Sequence, residues 1–408
     1  MANRKGGFIG QDGLNAPDEP TGVSASAGDE QATISFTAPS DAGGSAITGY
    51  VATSDDGIGA TGSSSPITVT GLSNGSAYTF RVWALNAFGY SAPSDASGSV
   101  TPTAPARAAT FGGYNSSFVI VNSIEYAVIS TTGNFSDFGD LTSVIYVPSV
   151  GCAGSATRSL RSSGSTTTSE ANAVNTIDYV NLNTTGNATD FGDLSINVWS
   201  SQQCSSSTRA VMGTGESSAA AILNTLEYVT IASTGNATDF GDLISSGINR
   251  GGALASPTRG IFAGDFDNSA NAIQYITIAS TGNATAFGDL SLANGRYWFA
   301  TASSDTRGLF AGGYEQGGTD YSNVISYITI ASTGNSVDFG DLSVGRNTPS
   351  GAAGDGRAVF GGGYDSGGIV NTVDYVTIAS TGNATDFGDL SVARYRGGSM
   401  SSGHGGIS

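Results

Sequence analysis

Six stretches of the chain share one pattern of apolar and polar positions. In each, a run of aromatic and β-branched residues leads to a Thr-Gly-Asn turn and then to a Phe-Gly-Asp-Leu segment. The six copies are residues 122–141, 175–194, 224–243, 271–290, 323–342 and 371–390. In the last copy, Val373, Tyr375, Val376 and Ile378 occupy both parities, which favours a strand packed on both faces. Gly and Asn suit a hairpin turn, so each copy predicts two strands joined by a tight turn.

The copies recur at a nearly constant spacing. The Thr-Gly-Asn glycines are Gly133, Gly186, Gly235, Gly282, Gly334 and Gly382. A period of about 50 residues that holds through four strand-like segments indicates a β-propeller. A segment with a double glycine precedes the copies, as in residues 107–114 (RAATFGGY), 307–314 (RGLFAGGY) and 357–364 (RAVFGGGY). This segment resembles the kelch-type repeat, although the Phe of Phe-Gly-Asp stands where kelch blades usually carry Trp.

The order of the segments predicts how the repeats close. The first repeat begins at Arg107 and lacks a preceding segment of small residues, whereas residues 391–408 form such a segment with no successor. We therefore expect residues 105–408 to form a six-bladed propeller closed by a C-terminal strand that completes the first blade. Closure removes unpaired strand edges.

Residues 16–104 form a separate pattern. Alternating strands are predicted at residues 32–40, 47–54, 65–72 and 77–86, separated by turns rich in Gly, Ser, Asn and Pro, which is typical of a β-sandwich. Pro20, the stretch 71–94 and Tyr78, six residues after Leu72, resemble a fibronectin type III domain. The resemblance implies a tyrosine corner in which the Tyr78 hydroxyl bonds backbone near Leu72, with Phe36 where the family usually carries Trp. It implies a spacer or docking module and says little about function.

Residues 1–15 are a Gly-rich arm with two apolar residues, Phe8 and Ile9. Two interpretations stay open, a frayed terminus and a peptide that docks on a larger assembly through Phe8 and Ile9.

Charge and hydropathy restrict the classes of partner that the protein is expected to bind. The formal net charge is −18 with only 15 Lys and Arg residues, which disfavours nucleic acid. No run of 18 apolar residues occurs, so no membrane insertion is expected. The N-terminal residues lack an apolar segment, so no Sec leader is expected either.

Groups suited to catalysis or metal binding are few. His404 is the single histidine, so no Ser/His/Asp or Cys/His constellation can be assembled, and His404 is expected to be structural. Asp386 and Asp389 resemble a catalytic carboxylate pair, but the pair recurs in most repeats and is therefore assigned to structure. We expect no enzyme activity and no cofactor.

Repeated charged residues are expected to pair with each other. The arginines are Arg158, Arg209, Arg259, Arg307 and Arg357, and the acids are Asp140, Asp193, Asp242, Asp289, Asp341 and Asp389. Residues 264–271 offer oxygen ligands for calcium but lack the spacing of a known site, so no metal is predicted. Cys152 and Cys204 occupy nearly equivalent points of adjacent repeats, and both a disulfide and isolated buried thiols stay open.

Binding surfaces are expected on the loops. The loops after the double glycine differ between repeats, as binding loops on a rigid scaffold do. Aromatic residues precede the small-residue segments, namely Tyr146, Trp199, Tyr297, Trp298 and Tyr395. Such rings either stack on sugar faces or pack between blades.

The whole chain is acidic, poor in Lys and rich in Gly, Ser, Thr and Asn. With its arm, fibronectin-like spacer and near-identical repeats, it resembles structural proteins of tailed bacteriophages, particularly marine ones. The resemblance implies a multicopy or homo-oligomeric virion surface protein, either tail fibre or capsid decoration. Its expected partners are other virion proteins, with a host-surface glycan as a candidate ligand. A secreted bacterial adhesion or matrix protein and a carbohydrate-active propeller enzyme are the alternatives.

Overall fold

The computed structural model describes residues 15–146, 151, 153–244, 248–264, 271–291, 296–315 and 321–407. The predictions for Phe8, Ile9 and Cys152 lie outside these residues. The chain divides into two compact units, Met1–Pro105 and Ala106–Ser408. Apart from one 3-10 turn at Glu170–Asn172, the regular structure of the described residues is β-strand, so the all-β prediction is confirmed. No helix in those ranges is long and apolar enough to cross a membrane.

The N-terminal unit consists of two antiparallel sheets. One contains, in spatial order, Thr21–Gly28, Gln31–Thr37 and Ile67–Thr70. The other contains Gly59–Gly62, Gly49–Ser54, Phe80–Asn86 and Gly89–Tyr90. Alternate residues of these strands are buried, as the period of two in the sequence predicts.

Aromatic residues hold the core of this unit. Phe36 is buried, and its ring centroid lies 4.8 Å from that of Tyr50, so an aromatic residue fills the position where Trp is usual. Tyr78 is buried and its hydroxyl oxygen accepts a hydrogen bond from the Ser73 N–H at 3.0 Å. The predicted tyrosine corner is therefore confirmed.

The second unit contains, within the described residues, six four-stranded antiparallel sheets, one for each repeat. We call them sheets 1 to 6 and give their strands in spatial order. Sheet 1 is Gly398–Ser401, Arg107–Phe111, Ser123–Val128 and Ser136–Asp140; sheet 2 is Ala153–Gly154, Arg158–Ser162, Val174–Asn181 and Thr189–Trp199. Sheet 3 is Gln202–Ser205, Arg209–Ser217, Ile222–Thr230 and Thr238–Asp242; sheet 4 is Gly252–Ala255, Arg259–Ala263, Ala272–Thr277 and Thr285–Asp289. Sheet 5 is Ala300–Ser303, Arg307–Ala311, Val324–Thr329 and Val337–Asp341; sheet 6 is Ser350–Gly354, Arg357–Gly361, Thr372–Thr377 and Thr385–Asp389.

Each of these sheets is open, and none of them curls into a barrel. Sheets 2 and 3 are continuous because Val198 and Trp199 pair with Ser217 and Glu216. Three short two-stranded pairs lie beside the main sheets. They are Tyr114–Asn115 with Arg394–Tyr395, Arg296–Tyr297 with Tyr314–Glu315, and Tyr364–Asp365 with Gly368–Ile369.

The first strands consist mainly of small residues, with Gln202, Gln203, Leu254 and Met400 as the larger ones, and are buried along almost their whole length. Hydroxyl groups join neighbouring first strands. Thr301 Oγ1 donates to the Ala253 carbonyl at 2.7 Å, and Ser303 Oγ donates to the Ala255 carbonyl at 2.8 Å. Small side chains therefore allow these strands to approach closely while their polar atoms stay bonded.

The C-terminal strand belongs to the first sheet. Gly398–Ser401 pairs antiparallel with Arg107–Phe111, and Gly398 lies opposite Phe111. The predicted pairing of the C-terminal segment with the first repeat is therefore confirmed.

A repeated arginine joins each sheet to the next one. Its guanidinium lies 4.4–5.1 Å from the centroid of a Tyr ring in its own sheet and donates to a backbone carbonyl of the following sheet. The bonds run from Arg107 to Leu182, Arg158 to Ile231, Arg209 to Ile278, Arg259 to Ile330, Arg307 to Ile378 and Arg357 to Ile129, at 2.8–3.3 Å. The predicted pairing of these arginines with the repeated aspartates is therefore wrong. In the ranges described, the ion pairs involve other arginines.

The Phe-Gly-Asp and Thr-Gly-Asn segments form the second contact between neighbours. The Asp N–H donates to the Asn Oδ1 of the next sheet at 3.0–3.1 Å in all six pairs. At Gly388, an added Cβ would lie 2.5 Å from the Gly133 carbonyl oxygen. Glycine is required there because the two backbones touch.

Buried arginines distinguish some junctions from others. At equivalent positions near the end of the fourth strand or after it, the successive connectors carry Ile145, Val198, Ile248, Arg296, Arg346 and Arg394. The carbonyls of all but Arg296 accept a hydrogen bond from a glycine N–H, namely that of Gly113, Gly164, Gly215, Gly313 or Gly363. Arg346 pairs with Asp374 at 2.9 Å, and Arg394 pairs with Glu125 at 2.8 Å. Burial lowers the pKa of both guanidinium groups, against the attraction of their carboxylate partners.

The second repeat departs from the common sequence and buries an arginine in its second strand. Arg161 stands where the neighbouring second strands carry Thr110 or Met212, and it is fully buried. Its guanidinium pairs with Asp178 of the same sheet. The degenerate strand is therefore retained because a buried charge has a partner.

The residues after the last strand fill the space between the far ends of the first strands. His404 is 3% exposed, and its Nε2 lies 3.3 Å from Ser205 Oγ. An added Cβ would lie 2.1 Å from the Ser304 carbonyl oxygen at Gly405 and 1.7 Å from the Ser205 carbonyl oxygen at Gly406. Only glycine fits beside His404, and burial lowers the His404 pKa to about 4.

A candidate binding cleft at the connector turns

The connectors between sheets share one unusual backbone conformation. Two residues after the position occupied by Val198, Ile248, Arg296, Arg346 or Arg394, the chain enters the left-handed region. These connector-turn residues are Ser200, Arg250, Trp298, Thr348 and Arg396, with φ of 59°, 64°, 59°, 47° and 55°. Bulky residues seldom adopt this conformation, and such residues cluster at functional sites.

The five connector-turn residues line one cleft. Its cavity volume is about 30 Å³, it is open to solvent, and it is completed by Phe299, Pro349 and the first-strand residues Thr301, Gly351 and Ser399. Backbone hydrogen bonds link successive turns, since the Trp298 N–H donates to the Arg250 carbonyl at 2.7 Å and the Thr348 N–H donates to the Trp298 carbonyl at 2.6 Å. The cleft is therefore held by the backbone as well as by side chains.

Arg396 lies at the centre of an aromatic cluster. Its guanidinium carbon is 3.6 Å from the Trp298 ring centroid, 5.0 Å from that of Tyr395 and 5.2 Å from that of Tyr146. Nη1 of Arg396 donates to the Tyr146 hydroxyl. Burial raises the pKa of Tyr146 to about 12, although Arg396 opposes the rise, so this hydroxyl stays protonated at neutral pH.

A belt of half-buried tyrosines extends from this cluster. Neighbouring centroids lie 5.8 Å apart for Tyr297 and Tyr314, 5.4 Å for Tyr314 and Tyr321, 5.9 Å for Tyr321 and Tyr364, and 5.5 Å for Tyr364 and Tyr395. Burial raises the pKa of Tyr297 and Tyr321. The belt therefore presents a continuous row of ring edges and hydroxyl groups.

The charge of the cleft is opposite to that of the chain. Arg250 and Arg396 are the charged side chains in its lining, and no carboxylate belongs to that lining among the residues described. The chain as a whole carries a formal net charge of −18. Two basic side chains thus line the cleft of an acidic protein.

The structure brings together all five aromatic residues that the sequence singles out. Trp199 and Trp298 are buried with centroids 6.2 Å apart, and Tyr146 is buried beside them, whereas Tyr297 and Tyr395 are half-buried. The cluster therefore contains both buried rings and rings that are partly accessible to solvent.

Sequence reasoning missed four of the five connector-turn residues and found only Trp298. Arg250 and Arg396 were not among the residues singled out, although both lie in the cleft. These residues can be found by aligning the six connectors, starting each from the position equivalent to Ile145 and Arg394.

The other predicted site residues lie elsewhere. Asp386 is exposed on a fourth strand, and the Asp389 N–H donates to Asn134. Most of the calcium candidate 264–271 lies outside the described residues. Within those described, no group of three or more His, Cys, Asp or Glu side chains could hold a metal ion.

Of the two cysteines, Cys204 lies within the described residues. Cys204 is a buried free thiol, and burial raises its pKa. A group in this state is chemically inert.

Comparison with known proteins concerns the N-terminal unit. A family model described as Fibronectin type III domain matches residues 18–99. A crystal structure of domains from titin matches at 30% sequence identity with a TM-score of 0.21, covering 22% of this chain and 32% of the titin chain. Comparison with curated proteins finds no match. Residues 18–99 are therefore a fibronectin type III domain.

Proposed function

We propose that residues 105–408 form a six-bladed, kelch-like β-propeller that acts as a non-enzymatic glycan-binding head on the virion surface of a tailed bacteriophage. The propeller part is supported by contacts that repeat from each sheet to the next and return from sheet 6 to sheet 1. Arg357 donates to the Ile129 and Ser130 carbonyls, and the Asp389 N–H donates to Asn134. A linear stack of sheets would leave both contacts unmade.

The single observation that carries the binding role is the convergence of the connectors on one open cleft beside the tyrosine belt. Aromatic faces pack on the C–H faces of sugar rings, and guanidinium, hydroxyl and backbone groups bond sugar hydroxyls. The cleft and the belt supply both kinds of contact side by side.

The virion assignment is supported by sequence features. The chain is acidic and rich in small polar residues, its repeats are nearly identical, and an N-terminal arm with Phe8 and Ile9 precedes the fibronectin type III domain. In this proposal the arm anchors the chain to capsid or tail proteins, the domain acts as a spacer, and the propeller faces the host.

A glycan array with a hydrolysis readout tests the binding role. The full-length protein is expected to bind a subset of glycans without turnover. Tyr364→Ala should weaken that binding by about tenfold, which is on the order of 1 kcal/mol for loss of a ring contact. The control is Tyr90→Ala, which removes an exposed Tyr from the fibronectin type III domain. Turnover of a bound glycan would contradict the non-enzymatic assignment.

A particle assay tests the anchoring role. Deletion of residues 1–15 is expected to abolish incorporation into particles while the repeats stay folded, as judged by circular dichroism. Electron microscopy of labelled particles then distinguishes a tail position from a capsid position. Normal incorporation of the truncated protein would reject the role of Phe8 and Ile9.

A secreted bacterial adhesion or matrix protein is the second candidate function. The matched fibronectin type III domain favours it, because that domain is common in adhesion and structural proteins. Fractionation of the source culture separates the two candidates, since a virion protein sediments with particles and an adhesion protein stays with cells.

A further inference from the structure

We propose that the tyrosine belt is a site of oxidative modification, at which an oxidant of the peroxide class couples neighbouring phenols into dityrosine cross-links. The belt consists of Tyr297, Tyr314, Tyr321, Tyr364 and Tyr395. This proposal does not depend on glycan binding. It follows from the spacing of the rings, their access to solvent and the segments that they join.

The first argument is the spacing of the rings. The four neighbouring pairs have centroids 5.4–5.9 Å apart, so the edges of two phenol rings lie close together in each pair. Tyr297 and Tyr314 are also direct partners across two paired strands, which holds their side chains next to each other.

A second set of tyrosines, one in each sheet, packs differently. The ring neighbour of each is a Phe, which has no hydroxyl group and does not form a phenoxyl radical. These residues are Tyr126, Tyr179, Tyr228, Tyr275, Tyr327 and Tyr375. Coupling is therefore expected in the belt and not at these positions.

The coupling balances as a two-electron oxidation. Each phenol loses one electron and its hydroxyl proton, and the two radicals join through a new carbon–carbon bond between ring carbons ortho to the hydroxyl groups. The hydrogen on each of these carbons then moves to a phenol oxygen, so the pair loses two electrons and two protons in total. A peroxide accepts both electrons as its O–O bond breaks, and water accepts the protons.

The second argument is the access of solvent to the phenols. All five belt tyrosines are half-buried, so a small oxidant reaches each ring and water accepts its proton. Tyr146 differs, although its ring centroid lies 4.7 Å from that of Tyr114. It is buried and its hydroxyl oxygen accepts a hydrogen bond from Arg396, so the guanidinium charge opposes the loss of an electron there. The Tyr395 centroid lies 5.0 Å from the same guanidinium carbon, but this ring keeps its contact with solvent.

The third argument is the position of the rings in the fold. Tyr364 lies in the short hairpin that joins the second and third strands of sheet 6. Tyr395 lies in the C-terminal segment, next to its cross-strand partner Tyr114, and leads into the strand Gly398–Ser401 of sheet 1. A bond between Tyr364 and Tyr395 therefore ties the segment that completes sheet 1 to sheet 6. Such a cross-link stabilises the folded chain by restricting the unfolded one.

Controlled oxidation of the full-length protein tests the proposal. Peroxodisulfate and a photosensitiser, trisbipyridine ruthenium, supply the oxidant under visible light. We expect dityrosine fluorescence, a chain mass lower by two hydrogen atoms for each cross-link, and a yield per chain that does not change on dilution. Arg307, Arg346 and Arg394 lie between belt tyrosines, so trypsin separates all of them except Tyr314 and Tyr321, and linked peptides identify the coupled pairs.

Variants assign the cross-links to the belt. Tyr364→Phe keeps the ring and its packing, and it is expected to abolish two of the four couplings and to lower the total yield. Tyr90→Phe removes a phenol that is 58% exposed in the fibronectin type III domain, and it should leave the yield unchanged. The oxidised wild-type protein should melt at a higher temperature than the untreated one, and oxidised Tyr364→Phe should lose most of that increase.

The outcomes are distinct from those of the glycan array. Linked peptides that join belt tyrosines of one chain support the proposal. Absence of dityrosine, a yield that rises with protein concentration, or a yield that depends on Tyr90 and not on Tyr364 overturns it. An unchanged melting temperature after coupling overturns the stabilising role of the bond between Tyr364 and Tyr395.

Discussion

The backbone N–H of Asp389 donates to the side-chain oxygen of Asn134 at 3.0 Å, although 255 residues separate them along the chain. The same bond joins each of the other sheets to its successor. The hydrogen bond that joins sheet 6 to sheet 1 is therefore the same as the one that joins every other sheet to its successor. This equivalence makes the stability of the repeats a collective property.

Deletion of residues 391–408 is expected to abolish cooperative unfolding of the repeats. It removes the strand Gly398–Ser401, the buried Arg394 and the His404 tail, and it exposes the edge of Arg107–Phe111. Differential scanning calorimetry of the truncated chain should show no sharp transition for the second unit. A transition at the wild-type temperature would refute the dependence on closure.

Replacement of Gly388 by alanine is expected to weaken the junction between sheets 6 and 1. The new Cβ would lie 2.5 Å from the Gly133 carbonyl oxygen, and φ of 144° at Gly388 adds strain. We expect a loss of about 1–3 kcal/mol in the free energy of unfolding, measured by urea titration. Gly98→Ala is the control, because a Cβ there meets no atom within 4 Å.

Replacement of Arg394 by methionine is expected to be more damaging. The buried Glu125 carboxylate then keeps the hydrogen bond from the Ser391 N–H at 2.9 Å but loses its cationic partner. Loss of one partner of a buried pair costs about 3–5 kcal/mol.

Two further variants check the cause of that loss. Adding Glu125→Leu to Arg394→Met should recover much of the stability, because no carboxylate then remains buried. Arg259→Met removes a half-buried arginine that stacks on Tyr275 and donates to the Ile330 and Ala331 carbonyls, so a cost of only about 1 kcal/mol is expected. Equal losses for Arg259→Met and Arg394→Met would contradict the electrostatic explanation.

His404 is expected to make stability depend on pH. Burial lowers its pKa from 6.5 to about 4, so between these values the unfolded chain binds a proton that the folded chain does not. The contribution of neutral His404 is fully present above pH 6.5 and is lost as pH falls toward 4, by about 3 kcal/mol in total.

A histidine-free variant isolates this effect. His404→Asn should flatten the pH dependence of the unfolding free energy between pH 6.5 and 5, where carboxylates contribute less. Parallel urea titrations of the two proteins at several pH values give the difference. Identical slopes would mean that His404 titrates alike in both states.

The strands were predictable because their pattern is local. The predicted outer strand at residues 384–390 is observed at Thr385–Asp389, and the pairing of the C-terminal segment follows from counting segments. The partners of Arg357 and its equivalents were not predictable, because they are backbone carbonyls of the next sheet and carry no sequence signal.

The cleft was predictable in part. Its aromatic residues stand out as large rings in a chain of small residues. Arg250 and Arg396 do not, because the left-handed backbone conformation at these residues opposes their own preference and has no local sequence signal.

Near-identical repeats on one chain raise the problem of assembly order, because a strand could pair with the wrong copy. The junctions differ at their buried positions, where Arg346 reaches Asp374 and Arg394 reaches Glu125, while Ile145 and Val198 occupy the equivalent sites elsewhere. Sheets assembled in a shifted order would bury a lone cation or a lone carboxylate at one or more junctions. We expect these differences between the junctions to favour the native order of the six sheets over shifted orders.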